Sequence, residues 1–437
     1  MASIVIVGGG VAGLTCAWHL RRAGHDVEVL EGAPEPGGRL RTESRGDYAL
    51  ECGARSVASG HRNWHSVVLA LGLGDRAYAL PRSRSAVLRD GALHSADLTA
   101  PLELLTTTLL SVRARARLPR LALEVLAHAR VLDPLRPERA AALDGEDLAD
   151  GVRRTLGEEN LEYLLAPAFA SRFGSAPEDL SWAFALLALR LRAQGFREES
   201  LRGGLGGVTR ALARRVPVRT SCEVVSIETE TDGARVRYRA RGRPGSAIAD
   251  AVVAAVPGSE VVRLCPKLTP SERGFFEEVR YARGIVAHLL LEKVPAALPW
   301  SGVAFPRREG LDLNGLIVDH HRMGAAPPGA GLVSAVLDPG ASARMWQAPD
   351  AEVGALVVDR LARTPIGTLA PRECVVHRWP AMLPQFGVGH LPRLSRFLTR
   401  MDRSPRLAFA GDYLIGPYVE AAVASGMRAA SEIARGL

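Results

Sequence analysis

The stretch from Ile4 to Gly32, IVIVGGGVAGLTCAWHLRRAGHDVEVLEG, constrains the fold more than any other part of the chain. Its first residues form a short β-branched apolar run, the signature of a strand buried on both faces of a parallel sheet. Gly8, Gly10 and Gly13 follow in the pattern GxGxxG, Ala12 to Ala23 have helical spacing, and Gly24 supplies a stop. HDVEVLE is then a second strand ending in Glu31. This order predicts a βαβ unit that grips a dinucleotide. Gly8 permits the sharp turn, Gly10 the approach of backbone to a pyrophosphate, and Gly13 the close seating of helix on strand. The free N–H groups of Val11 and Ala12, at the positive end of the helix, face the phosphates. Glu31 stands where a carboxylate accepts hydrogen bonds from a ribose hydroxyl, with Gly32 beside it.

A chain of 437 residues exceeds one simple core, so two intertwined domains are expected. The net charge is +8, carried by arginine; the only lysines are Lys267 and Lys293. The arginines are scattered among acids, with no basic block interleaved with aromatics, which argues against nucleic acid as a partner. Cys16, Cys52, Cys222, Cys265 and Cys374 are odd in number and widely spaced. They suggest neither a metal centre nor disulfides, and fit a reducing compartment. No apolar run reaches the roughly 18 residues of a membrane span, and the N-terminal segment lacks a signal-peptide pattern. A cytoplasmic location is the expectation.

After Glu31 comes Gly37-Gly38-Arg39-Leu40-Arg41-Thr42. Two glycines and two arginines here suit a second loop crossing the same pyrophosphate. Together the motif, the acid and the GGR-x-x-T loop resemble the opening of the flavin-containing amine oxidase and protoporphyrinogen oxidase superfamily. The resemblance implies FAD, held without a covalent bond, with Gly37, Gly38, Arg39, Leu40 and Arg41 along the pyrophosphate and ribityl chain. It puts Gly53, Ala54 and Arg55 near the flavin and Val224 at the adenine. The closing segment RLAFAGDYLIGPYVEAAVASGMRAASEIA resembles the superfamily's last strand, Gly-Asp and helix. The resemblance assigns Gly411, Asp412, Tyr418, Val419 and Ala422 to the flavin. Pro417 is expected in the first turn of that helix.

The implied fold is α/β: a Rossmann-like FAD-binding domain of the glutathione-reductase type, interleaved with an α+β substrate domain and a helical subdomain. The expected division is 1–90, 203–260 and 400–437 for FAD, 91–202 for the helical part, and 261–399 for the substrate sheet. The helical part reads either as a solvated subdomain or as an amphipathic cap that shapes a substrate entrance or touches a membrane surface. His288, on the strand YARGIVAHLLLE, falls near the place of a lysine that holds a water beside the flavin in amine oxidases. VHRWPAMLPQFGVGHLPRL resembles a protoporphyrinogen oxidase segment and brings forward Trp379, Gln385 and His390. Each stands either at the flavin cavity or in the seam between domains. Tyr418 matches one wall of the amine oxidase aromatic cage; the second wall is open, with Phe386 or His390 as stand-ins.

Three activities follow, each on a small-molecule substrate. One is removal of a hydride from a bulky cyclic or apolar substrate, protoporphyrinogen-like, with O2 as acceptor. Another is oxidation of an amine or amino acid to an imine. The last is a flavoprotein cyclase without net oxidation.

Overall fold

The structure, a computed structural model, describes residues 1–81, 84–97, 101–192, 197–296, 298–402 and 404–437. Positions 98–100 and 193–196 of the helical segment expected from about 95 to 200 therefore lie outside the described residues. The strand Ser3–Val7 sits at the centre of a five-stranded parallel sheet. Asp26–Leu30 and then Val218–Arg219 flank it on one side, Ala251–Ala254 and then Leu407–Phe409 on the other. Ile4, Val5, Ile6 and Val7 are β-branched and almost fully buried, as a strand covered on both faces requires. The helix Val11–Arg22 crosses over one face. It ends as expected, with Gly24 at φ +90°.

A three-stranded antiparallel ribbon, Cys222–Thr229, Ala234–Ala240 and Arg243–Ala249, inserts before Ala251–Ala254. This parallel sheet with an antiparallel crossover is the Rossmann-like arrangement expected. A mixed seven-stranded sheet forms the second layer. Its long edge strand Pro371–Gln385 pairs with Arg280–Leu291. Ser85–Arg89 and Ala92–Ser95 also belong to this sheet, and Ser85–Val87 runs parallel to Gly302–Ala304. A division at residue 90 thus falls within a hairpin. Asp90 and Gly91 both have positive φ, the two-residue turn that Asp-Gly favours between strands.

Helices between Pro101 and Arg192 build a separate apolar cluster around Leu148, Val152, Phe173, Trp182 and Phe184. The last helix, Val419–Gly436, packs on Val11–Arg22 at close range. A Cβ on Gly426 would meet the carbonyl of Ala12, so glycine is what lets the two backbones approach.

Candidate functional site

The N-terminal grip is built largely from backbone. Gly8 has φ +109°, and a Cβ there would clash with the Ala255 carbonyl oxygen. One on Gly13 would strike the carbonyl of Gly8. Gly10, by contrast, faces open space and caps the helix with no side-chain hydrogen bond. The first turn of Val11–Arg22 therefore keeps its N–H groups for a ligand. The second glycine loop crosses at this point: Gly37 N donates to Gly9 O at 2.8 Å, and Gly10 bridges Gly37. Gly38 passes so close that its Cβ would sit 3.4 Å from Gly10 Cα.

Glu31 holds this crossing in shape. Its carboxylate accepts from Gly9 N at 2.6 Å and Ala33 N at 2.8 Å. The crossover ribbon docks on the same turn, with Cys222 N donating to Glu31 O. Gly32, Ser221, Glu223, Arg239, Arg241 and Gly242 line a cleft of about 600 Å³. Val224, next to Glu223, is buried at the start of a bulge. A glycine cradle, uncapped N–H groups and an open cleft at the acid end fit an extended dinucleotide.

At the other end, Asp412 receives both terminal nitrogens of Arg39, at 2.8 and 3.0 Å. Arg39 also reaches Met382 O and lies over Tyr281. Burial opposes the charge on Arg39, but Asp412 outweighs it and the guanidinium stays cationic. The helix Val419–Gly436 begins after Tyr418, which is extended and gives no side-chain cap. Pro417 therefore precedes the helix rather than opening it, because the chain stays extended through Tyr418. Val419 and Ala422 lie in its uncapped first turn, and Gly411 N donates to Ser425 Oγ at 3.0 Å. Glu420, which belongs with Tyr418 and Val419 to the run that resembles amine oxidases, points the other way. Its carboxylate accepts from Asn63 N, Asn63 Nδ2 and Trp64 N at 2.8–2.9 Å and caps the helix Arg62–Ala70.

Between these ends lies a buried polar network. Arg55 and Arg322 both pair with Asp319, at 3.0 and 2.9 Å. Ser334 donates to Asp319, and His288 Nδ1 lies 2.7 Å from Ser334 Oγ. Burial alone would raise the Asp319 carboxyl; Arg322 and Arg55 instead hold it at about 2. Burial, reinforced by Arg55, pushes His288 well below its ordinary value. His377 stacks edge-on to His288, with centroids 5.1 Å apart, and bonds Glu43 at 3.1 Å. Trp379 donates its indole N–H to Cys52 O at 2.8 Å, which ties the long strand to the Gly53–Ala54 segment. Ala54 N in turn donates to Arg39 O. Glu43, Cys52 and His377 bring one donor atom each within 4.8 Å of one another, a grouping that linear spacing concealed. Burial raises the Cys52 thiol, and Arg41, which counters that rise, stands against it as a cation.

Gln385 and His390 stand apart from this network. Gln385 reaches Ser175 and Asp179 of the helical part, at 3.4 and 3.3 Å. His390 bonds Tyr413 O at 3.1 Å and packs between Phe386 and Phe275. Phe386 itself stacks on Phe184. Tyr418 faces His61, with centroids 6.1 Å apart, and its hydroxyl donates to Pro134 O.

Residues 11–434 match the family model described as flavin containing amine oxidoreductase. The chain is 26% identical to coproporphyrinogen III oxidase of Mycobacterium tuberculosis, over 100% of this chain and 98% of that one. It is 27% identical to protoporphyrinogen oxidase of Bos taurus, over 99% and 98%. The solved structure of cyclohexylamine oxidase from Brevibacterium oxydans superposes with a TM-score of 0.76 at 18% identity, covering 99% of each chain, a likeness of fold.

Proposed function

The chain belongs to the flavin-containing amine oxidoreductases and is a flavin-dependent oxidoreductase; on that premise we propose that it oxidises a bulky cyclic substrate of the porphyrinogen type, with O2 as acceptor. The flavin, when bound, supplies the hydride acceptor. FAD is the form that suits the long glycine cradle and the cleft beyond Glu31. Residues 411–437 contain no cysteine to tether it, which supports non-covalent binding.

One observation carries the choice of substrate. An amine cage needs a second aromatic wall beside Tyr418; neither Phe386 nor His390 supplies it, and the ring that Tyr418 faces is the imidazole of His61. Phe386 and His390 are both committed to the packed aromatic cluster with Phe184 and Phe275. The two lysines are exposed and lie outside the strand Arg280–Leu291. The likeness to porphyrinogen oxidases over the full chain supports the same reading. Within it, this chain's residues hold the substrate in a dry site: Arg39 and Asp412 fix the two halves of the cradle, and the network around Asp319 sets polarity without free charge.

Anaerobic mixing of the flavin-loaded protein with coproporphyrinogen III, protoporphyrinogen IX, and a panel of amines and amino acids tests this. Bleaching by a porphyrinogen is expected. Bleaching by amines alone would transfer the assignment to imine formation, and turnover without bleaching to a cyclase.

No helix among the described residues is long and apolar enough to cross a membrane. Exposed Leu102, Leu105, Val112, Leu123 and Leu126, near exposed Arg113, Arg120 and Arg130, support resting contact with an anionic lipid surface. All five cysteines are free, which suits a reducing cytoplasm.

A further inference from the structure

We propose that His288 serves the site as a neutral hydrogen-bond acceptor through Nε2, and that Ser334 and Asp319 are the positioning residues that fix this tautomer. The inference deepens the oxidase reading and rests on it only for the identity of the donor.

The argument is one of proton counting. Asp319 is an anion between two guanidiniums, so it can only accept. The Ser334 hydroxyl therefore spends its single proton on Asp319. A lone pair of Ser334 Oγ then faces His288 Nδ1 at 2.7 Å, which requires Nδ1 to carry the hydrogen. His288 is fully buried and neutral, with Arg55 and Arg322 as the cations facing it and Asp319 as the anion. Nε2 is left with its lone pair. That atom is buried and has no protein partner, and the same is true of Nδ1 of the neighbouring His377 and of Arg41 Nε. A buried polar atom left alone is costly, so a ligand or an ordered water is the expected occupant.

The polarity differs from that of a lysine at this place. An ammonium offers donors and no acceptor. His288 offers an acceptor, so its partner must bring a hydrogen: a water, or an uncharged N–H such as that of a pyrrole. Nearby Arg55 and Arg322 disfavour a cationic donor.

Nitrogen-15 histidine labelling reads this directly, without substrate. Long-range N–H correlation spectra report which ring nitrogen is protonated, and loss of a signal in His288→Asn assigns it. Expected is the Nδ1–H form with bare Nε2 in the folded holoprotein. Ser334→Ala should abolish that preference, while Ser334→Thr, which keeps the hydroxyl, should restore it. Ser334→Ala should also slow flavin reduction by about tenfold or more, as loss of an orienting partner does elsewhere, with Ser334→Thr close to wild type. An Nε2–H or doubly protonated His288, or a tautomer indifferent to Ser334→Ala, would overturn the proposal. If no porphyrinogen reduces the flavin, the oxidase reading fails, and the tautomer result still decides this one.

Discussion

Gly426 offers a quantitative test of the cradle. It lies on the C-terminal helix against the first helix, and both helices present uncapped N-termini to the cofactor site. A Cβ there would lie well under 3.0 Å from Ala12 O, and 3.1 and 3.3 Å from Ala12 C and Cα. The obstacle is backbone, so it cannot rotate away. Relief requires the helices to part by about 1 Å, and overpacking of this kind costs about 1–3 kcal/mol. Helix propensity alone would favour alanine by about 1 kcal/mol. Gly274, in the helix Pro270–Phe276, isolates that second term, because nothing lies within 4 Å of its Cβ position. Gly426→Ala and Gly274→Ala share the propensity gain, so they should separate by the overpacking cost of about 1–3 kcal/mol in urea unfolding, with Gly274→Ala at or above wild type. FAD affinity should fall by about tenfold in Gly426→Ala, equivalent to about 1.4 kcal/mol, and stay unchanged in Gly274→Ala. Equal stability and equal flavin content in the two variants would refute the claim that this close approach positions the site.

Glu31→Gln keeps the shape but weakens a charged hydrogen bond to Gly9 N, so FAD affinity should drop by about tenfold, in line with about 1.5–3 kcal/mol for such bonds; flavin content equal to wild type after dialysis would sink the role given to Glu31. Burial holds His390 at about 4 against 6.5, and His61 likewise. Between those values the unfolded chain takes up protons that the folded chain refuses. Stability should therefore fall as pH drops from about 6.5 to about 4, by up to about 1.4 kcal/mol per pH unit for each group. His390→Asn should flatten that slope in urea unfolding, and an unchanged slope would count against it. Vesicles containing phosphatidylglycerol should co-sediment the protein less once Leu123 and Leu126 are changed to Glu. Binding by the double variant equal to wild type would remove the membrane contact.

The two ends of the chain were legible because their physics is local. Strand, glycines, helix and acid lie within 30 residues, and each glycine answers to a constraint its neighbours impose. The hairpin around Asp90–Gly91 was not legible as part of the second sheet, since Ser85–Val87 finds its partner more than 200 residues away. The network around His288 shows the same limit. Arg55, the single turn that carries Asp319 and Arg322, and Ser334 come from separate stretches of chain, and no spacing along the sequence announces their meeting. Gln385 and His390 sit in a distinctive motif, but the motif shapes a seam and an aromatic core. Glu420 reads as part of a cofactor motif, while its carboxylate caps a helix of residues 62–70. Only packing decides such cases.

The sheet order has a consequence for synthesis. The central strand comes early in the chain, while the edge strand Leu407–Phe409 and the helix beyond it come late. A nascent chain of 400 residues would thus possess the glycine turn, the acid and the crossover ribbon, yet lack the helix Val419–Gly436 that seats against Val11–Arg22. Until Val419–Gly436 emerges, the first helix shows water a face meant for its distant partner.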